Sequence, residues 1–190
     1  DNVIVIASGR NMDLPLSVGY RDQLQPDAVI HMNGTRVVAE GKTLYEHTMD
    51  KKLLKRLLAF GKERGIALGV TMENGDYYTA PEEVERIDVL RWGETSRHFE
   101  DPMKLLELPV RTLAYIGGPD RVRELEEHFP ECKFFMFAGK TGADVVENEA
   151  SKAEGLKRLC EYYGMDLSQT VAFGDSMNDF EIVSRAGIGI

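Results

Sequence analysis

TVAFGDSMND, residues 170–179, joins an apolar segment to a loop that carries two aspartates and an asparagine. The apolar part, 170–173, has the composition of a buried strand, and we predict a helix over 177–185. In a parallel sheet, the carboxyl ends of the strands form the edge at which ligands bind, and the N-termini of the following helices attract anions there. The stretch therefore predicts an α/β fold with a ligand site at this edge.

Two other apolar runs end in the same manner. VIVIASGR (3–10) and AVIHMNG (28–34) both pass from continuous apolar sequence into small polar residues. Runs of this kind are typical of strands that are buried on both faces of a parallel sheet. The segment between them is long enough for a crossover helix. These runs and the segment 170–190 predict a Rossmann-like parallel-sheet core.

The middle of the chain has a different pattern, in which helices alternate with hairpins. Hairpin turns are predicted at Gly41 and at the pair Asn74 and Gly75, and a helix is predicted to begin at Asp50. This alternation indicates an α+β domain inserted into the parallel-sheet core. The predicted division is a core of 1–37 plus 143–190 and an inserted domain of 38–142.

Composition excludes several classes of protein. The 190 residues are 43% apolar, enough for a proper core, and carry a formal net charge of -9. This charge argues against nucleic acid or anionic lipid as a partner. No apolar run is long enough to cross a membrane, and Cys132 and Cys160 lack a CxxC pattern, so we predict a cytoplasmic protein with no membrane partner.

Asp175 is the candidate metal ligand, because two carboxylates at this sheet edge would repel an anionic substrate unless a hard cation lay between them. An ordinary structural interpretation is equally open for this loop. Asp175 would then begin a turn, and Asn178 or Asp179 would cap the following helix.

Ser8, Gly9 and Lys152 are candidates for anion binding. A hydroxyl and backbone N–H groups after the first strand could hold phosphate oxygens, although small polar residues follow strands in most α/β proteins. Lys152 stands at the start of a predicted helix, where the helix dipole disfavours a cation. It could neutralise an anionic centre, or it could be an exposed surface lysine.

These three signals resemble the motifs of the haloacid dehalogenase-like phosphatases. Their second motif is a strand ending in Ser or Thr, as in 3–8; their third is a lysine at a helix start, as in ASKAEG (150–155); and their fourth is an acidic loop, as in 174–179. Asn33 and Gly34 after the second strand, together with the large insertion, resemble the Cof-type branch with its α/β cap domain. The resemblance covers nearly the whole chain.

The resemblance implies a role for each matching residue. Ser8 and Lys152 would be catalytic, with Ser8 donating to a phosphate oxygen and Lys152 balancing charge. It also implies a Mg²⁺ cofactor and a cap, from about 35 to 142, that closes over the core and chooses the leaving group of the substrate. The implied phosphate-binding residues are Ser8, Gly9, Lys152 and Asn178, and the implied metal ligands are Asp175 and Asp179.

The first motif of that family, Asp-x-Asp-Gly-Thr, does not occur in this sequence. We expect it upstream of Asp1, and we expect further sequence after Ile190. The implied function is hydrolysis of a small phosphomonoester, such as a sugar phosphate, through an aspartyl-phosphate formed on that upstream aspartate. The 190-residue chain alone would then be inactive. The alternative is a relative without a nucleophile that binds or scaffolds a phosphorylated ligand.

Overall fold

The computed structural model describes residues 2–190, which fall into two compact units. The first unit comprises the chain up to His47 together with Asn148–Ile190, and the second is Thr48–Glu147. The sequence placed the corresponding boundaries at 37/38 and 142/143. In chain order the strands are β1 (Val5–Ala7), β2 (Ala28–His31), β3 (Arg36–Ala39), β4 (Lys42–Glu46), β5 (Ala67–Met72), β6 (Gly75–Tyr78), β7 (Leu113–Ile116), β8 (Cys132–Met136), β9 (Gly142–Glu147), β10 (Val171–Ala172) and β11 (Ile188–Gly189).

Six α-helices accompany these strands. In chain order they are α1 (Pro15–Leu24), α2 (Lys51–Arg64), α3 (Pro81–Trp92), α4 (Asp120–His128), α5 (Lys152–Tyr163) and α6 (Phe180–Arg185). The predicted helix over 177–185 is a 3₁₀ turn, Met177–Asp179, followed by α6. The mixture of parallel strands and helices confirms the predicted α/β class.

The first unit contains two separate parallel strand pairs. β1 pairs with β2, and β10 pairs with β11. β3 and β4 extend the first sheet by antiparallel pairing, in the order β1-β2-β3-β4. Because β3 and β4 pair within this sheet, the hairpin that they form at Gly41 belongs to the first unit. Helix α5 packs on the first unit through Leu156 and Leu159, in a core shared with Ile30, Val37 and Ile182.

The first strand is shorter and less buried than its sequence predicts. It covers only Val5–Ala7, and all three of these residues are half-buried. Ile4 just before it is 53% exposed. The prediction of a strand buried on both faces is therefore wrong for β1, which is also an edge strand of its sheet. Its partner β2 is buried at all four positions, as predicted.

The second unit is built on one antiparallel sheet in the order β6-β5-β7-β9-β8. Asp50 caps α2 by accepting hydrogen bonds from the backbone N–H groups of Lys52 and Leu53, as predicted. The predicted hairpin at Asn74 and Gly75 is also confirmed, since β5 and β6 pair across it. The strand that ends at Glu147 pairs antiparallel with β7 and β8, so its assignment to the parallel core is wrong.

Candidate functional site

Four segments of the first unit meet around the ends of its parallel strands. They are the loop after β1, the turn after β2, the start of α5 and the loop after β10. The backbone N–H of Asn33 donates to the Ser8 carbonyl at 3.0 Å, and the Ser8 N–H donates to the Ile30 carbonyl at 2.9 Å. The Asn178 Nδ2 donates to the Asn33 Oδ1 at 3.0 Å. The loops that carry Ser8 and Asn178 are thus both attached to the turn after β2.

A buried ion pair joins the start of α5 to the loop after β10. The Lys152 Nζ lies 2.5 Å from the Asp179 Oδ1, with Lys152 only 4% exposed and Asp179 8% exposed. The second oxygen of Asp179 accepts from the Asp175 backbone N–H at 3.4 Å. Gly174 permits this packing, because a Cβ at that position would lie 2.5 Å from the Cβ of Asp179. Both Asp179 oxygens are therefore engaged within the protein.

The ion pair accounts for a cation at an unfavourable helix position. Lys152 is the first residue of α5, and Ser151 caps the helix by accepting from the Glu154 N–H. A buried ammonium needs a partner, and Asp179 provides it. An ammonium has three N–H donors, and across residues 2–190 Asp179 is the one partner recorded for them. Lys152 therefore retains capacity to donate to an additional anionic group.

Ser8 follows β1 in a loop whose backbone is held on both sides. Its Oγ accepts from the Arg10 N–H at 3.1 Å, so the hydroxyl proton stays available for donation. Gly9 is half-buried beside it. The loop can thus present one hydroxyl to an anion, and the phosphate-binding role of Ser8 and Gly9 stays a prediction.

His31 also belongs to this framework. It is 1% exposed, and its Nδ1 accepts a hydrogen bond from the Met12 N–H at 3.1 Å. Burial lowers the pKa of His31 to about 4, against the opposing effect of the nearby Asp13 carboxylate. His31 therefore stays neutral near pH 7 and fixes the loop after β1. No spacing in the sequence reveals this contact.

Asp175 is exposed at the end of β10, and its carboxylate is open to solvent. Among residues 2–190, no cluster of three or more His, Cys, Asp or Glu side chains is arranged to hold a metal ion. Mg²⁺ requires less than such a cluster, because it keeps several waters and is commonly held by one or two carboxylates plus substrate phosphate. Asp175 fits that limited requirement. The metal role predicted for Asp179 stays a prediction, and its oxygens bind Lys152 and the Asp175 N–H.

Comparisons with known proteins identify the family of the chain. The sequence model of the haloacid dehalogenase-like hydrolase family matches residues 1–190. The chain belongs to this family. The resemblance inferred from the motifs after the strands is thereby confirmed, and members of the family are hydrolases that act on phosphate esters.

Relatives of this haloacid dehalogenase-like chain include several named phosphatases. "Putative phosphatase YkrA" of Bacillus subtilis (strain 168) is 26% identical, over 98% of this chain and 71% of the relative. "HMP-PP phosphatase" of Klebsiella pneumoniae (strain 342) is 24% identical, over 83% of this chain and 59% of the relative. The chain thus spans only part of the length of these relatives.

Solved structures share the fold of this haloacid dehalogenase-like hydrolase. BT1666 of Bacteroides thetaiotaomicron, a phosphatase of the haloalkanoate (HAD) enzyme superfamily, superposes with a TM-score of 0.85 at 22% identity, covering 97% of this chain and 68% of that one. The subclass IIB sugar phosphatase BT4131 superposes with a TM-score of 0.80 at 21% identity, covering 97% of this chain and 72% of that one.

Within residues 2–190, no helix is long and apolar enough to span a membrane.

Proposed function

We propose that the protein to which this chain belongs is a magnesium-dependent phosphatase that hydrolyses a small phosphomonoester. The nucleophile would be an aspartate in sequence preceding Asp1, and the reaction would pass through an aspartyl-phosphate that water then cleaves. The observation that carries this proposal is the buried Lys152, whose ammonium pairs, within residues 2–190, with Asp179 alone at the edge of a parallel strand pair. A buried cation with unused donors is suited to an anionic reacting group.

Each site residue has a defined task in this mechanism. The Ser8 hydroxyl donates to a phosphate oxygen, and Lys152 neutralises charge on the attacking carboxylate and the phosphoryl group. Asn178 offers its amide at the same edge, and Gly9 lets the backbone approach a phosphate oxygen. Asp175 would hold Mg²⁺, which supplies electrostatic stabilisation of charge on the transferring phosphoryl group.

An apolar groove beside β1 and β10 supports the proposal that an upstream segment bears the nucleophile. The cavity has a volume of about 470 Å³, and alternate residues Val3, Val5 and Ala7 line it on one side. Consecutive residues 169–173 line it on the other side. Across the described chain, β1 pairs only with β2 and β10 pairs only with β11, so each strand has an edge with no strand beside it. We propose that an upstream strand fills this groove and ends next to Ser8 and Asp175.

The substrate class follows from the relatives and from the charge of the chain. Named relatives act on HMP-PP and, in another case, on 5-amino-6-(5-phospho-D-ribitylamino)uracil. We propose a small phosphorylated metabolite for this protein, with no nucleic acid or membrane partner, and a cytoplasmic location. The cap, proposed as 38–142, would select the leaving group. An overall charge of -9 makes the local positive charge of Lys152 important for binding an anion.

The test uses the protein with its upstream sequence, assayed on an aryl phosphate with and without Mg²⁺. We expect Asp175→Ala to reduce magnesium-dependent turnover by roughly 100-fold or more, because it removes a carboxylate that holds the cation. Asp22→Ala, a change at another exposed aspartate in the first unit, serves as the matched control and should leave turnover unchanged. Equal activity of Asp175→Ala and wild type would refute the metal assignment.

The same protein distinguishes the phosphatase from a binding protein of the same fold. A phosphatase turns over the aryl phosphate and carries an Asp-x-Asp motif upstream. A binding or scaffold protein retains affinity for inorganic phosphate but shows no turnover at any Mg²⁺ concentration. Absence of both turnover and phosphate binding would overturn the whole site.

A further inference from the structure

The turn after β2 has an uncommon backbone. Met32, Asn33 and Gly34 have φ angles of 48°, 55° and 89°, so three consecutive residues lie in the left-handed region. Asparagine and glycine tolerate this region, but a long side chain such as Met rarely adopts it. Asn33 and Gly34 are also buried. A strained, buried backbone persists only where surrounding contacts hold it, and it often marks a functional position.

This turn contacts all the segments that carry the proposed site residues. The Asn33 N–H binds the Ser8 carbonyl, and the Met32 N–H binds the Arg10 carbonyl at 3.1 Å. The Asn33 side chain accepts from Asn178. Gly34 lies against the backbone before α5, since a Cβ there would stand 2.0 Å from the Ser151 carbonyl oxygen.

The hydrogen bond between Asn33 and Asn178 helps to fix the orientation of the Asn178 amide. One amide hydrogen of Asn178 is donated to Asn33, and its Oδ1 accepts from the Ser176 hydroxyl at 2.8 Å. With both ends of the amide held, its plane is fixed. A primary amide has two N–H donors, so the second can serve a phosphate oxygen in a defined direction.

We infer that Asn33 is a positioning residue that orients the Asn178 amide toward the phosphoryl group. The left-handed turn 32–34 sets the spacing between this amide, the Ser8 loop and the start of α5 at Lys152. This inference rests on the proposed function of the same site. It assigns Asn33 no contact with the substrate, and its effect passes through Asn178.

Asn33→Gly is the sharpest variant, because glycine keeps the left-handed backbone and removes only the side chain. Gln25→Gly is the matched control, since Gln25 is also left-handed, with φ 44°, but is exposed. We would compare Asn33→Gly, Asn178→Ala and the double variant in the protein with its upstream sequence. The measurements are kcat and KM for an aryl phosphate, the inhibition constant of inorganic phosphate, and Tm.

We expect Asn33→Gly and Asn178→Ala each to lower kcat/KM by about 10-fold and to weaken phosphate inhibition similarly. The double variant should bind phosphate no more weakly than Asn178→Ala alone, because Asn33 is proposed to act on phosphate through Asn178, and Tm reports any separate structural effect of the Asn33 change. Gln25→Gly should match wild type. Independent, multiplying effects of the two changes, or wild-type phosphate inhibition in Asn33→Gly, would overturn the inference.

The test of Asn33 can be interpreted separately from the test of phosphatase activity. If the wild-type protein shows no turnover, phosphatase activity fails, and the inference is then judged on the affinity for inorganic phosphate measured by calorimetry. A weaker affinity in Asn33→Gly that is not weakened further in the double variant supports positioning. Unchanged affinity refutes it. Gly34→Ala adds a second test, since its Cβ would displace the backbone at Ser151 and should lower kcat through Lys152 as well.

Discussion

Each of the two units holds a cation beside buried carboxylates, but they use it differently. In the second unit, Arg97 binds Asp88 at 2.7 Å and Asp76 at 2.9 Å, and it also donates to the Thr71 hydroxyl. The hydrogen bond with Asp88 raises the pKa of Arg97, despite its burial. In the first unit, Lys152 has Asp179 as its one recorded partner among residues 2–190.

This difference separates a structural ion pair from one with binding capacity. The guanidinium of Arg97 directs its donors to three acceptors, so it holds the segment before Phe99 onto β5, β6 and α3. The ammonium of Lys152 has three donors and leaves room for a ligand. Burial and charge alone therefore do not indicate function. The number of N–H donors left after the protein's own contacts does, and the first two of the three predictions that follow test that distinction.

Loss of Lys152 should have the largest effect on activity. We expect Lys152→Met to reduce kcat/KM by roughly 1000-fold, because it removes a preorganised cation from the phosphoryl site. It should also lower stability, since it leaves Asp179 buried without its partner. The double variant Lys152→Met/Asp179→Asn should regain stability but not activity, as measured by Tm and steady-state kinetics. Recovery of activity in the double variant would show that Lys152 acts only as a structural partner.

Loss of Arg97 should affect stability and leave chemistry intact. We expect Arg97→Met to lower the free energy of unfolding by about 3 to 5 kcal/mol, because Asp76 and Asp88 stay buried without their cation. Below its Tm the variant should turn over an aryl phosphate with a kcat within about 2-fold of wild type. Denaturant unfolding and kinetics check the two parts. A kcat loss as large as that of Lys152→Met would end the distinction between the two cations.

The smallest expected effect concerns His31 and acid pH. Its pKa in the folded state is about 4, against 6.5 for an exposed histidine, because of burial and the Arg36 and Arg21 charges, partly opposed by Asp13. The folded protein therefore binds fewer protons than the unfolded chain between these values. The contribution of neutral His31 to the free energy of unfolding is full above pH 6.5 and declines as the pH falls toward 4.

Comparison with His31→Asn isolates this contribution. Asparagine keeps an acceptor near the position of Nδ1 for the Met12 N–H and does not titrate. Between pH 7 and pH 5 we expect wild type to lose on the order of 2 kcal/mol more of its unfolding free energy than His31→Asn. Urea unfolding at the two pH values measures the difference. Parallel losses in both proteins would mean that His31 is protonated normally in the folded state.

Much of the secondary structure was predictable because it depends on neighbours in sequence. Helix α5, Lys152–Tyr163, begins at the predicted residue, since Ser151 caps it, and Gly164 closes it in a left-handed conformation. β9 was assigned to the wrong sheet because a strand's partners depend on distant residues. Its largely buried sequence does not distinguish antiparallel pairing with β7 and β8 from a place in the parallel core.

The site was predictable in its residue types but not in its pairings. A lysine at a helix start indicated either an anionic partner or an exposed side chain, and in the folded protein Lys152 is buried and Asp179 is its partner. The sequence could not show that this pairing engages the carboxylate predicted as a metal ligand. The bonds from His31 to Met12 and from Asn178 to Asn33 also went unpredicted, because each joins loops that only the sheet brings together.

The division of the first unit into two stretches of chain has a consequence for biosynthesis. The second unit, Thr48–Glu147, is continuous in the chain, so it can complete its sheet as soon as its own residues leave the ribosome. The first unit cannot, because its strands are synthesised on either side of that unit. During translation the buried strand β2 must therefore wait for helix α5, whose Leu156 and Leu159 share its core. Slow synthesis of residues 148–190 would leave that apolar surface exposed and make the nascent chain dependent on chaperones at that stage.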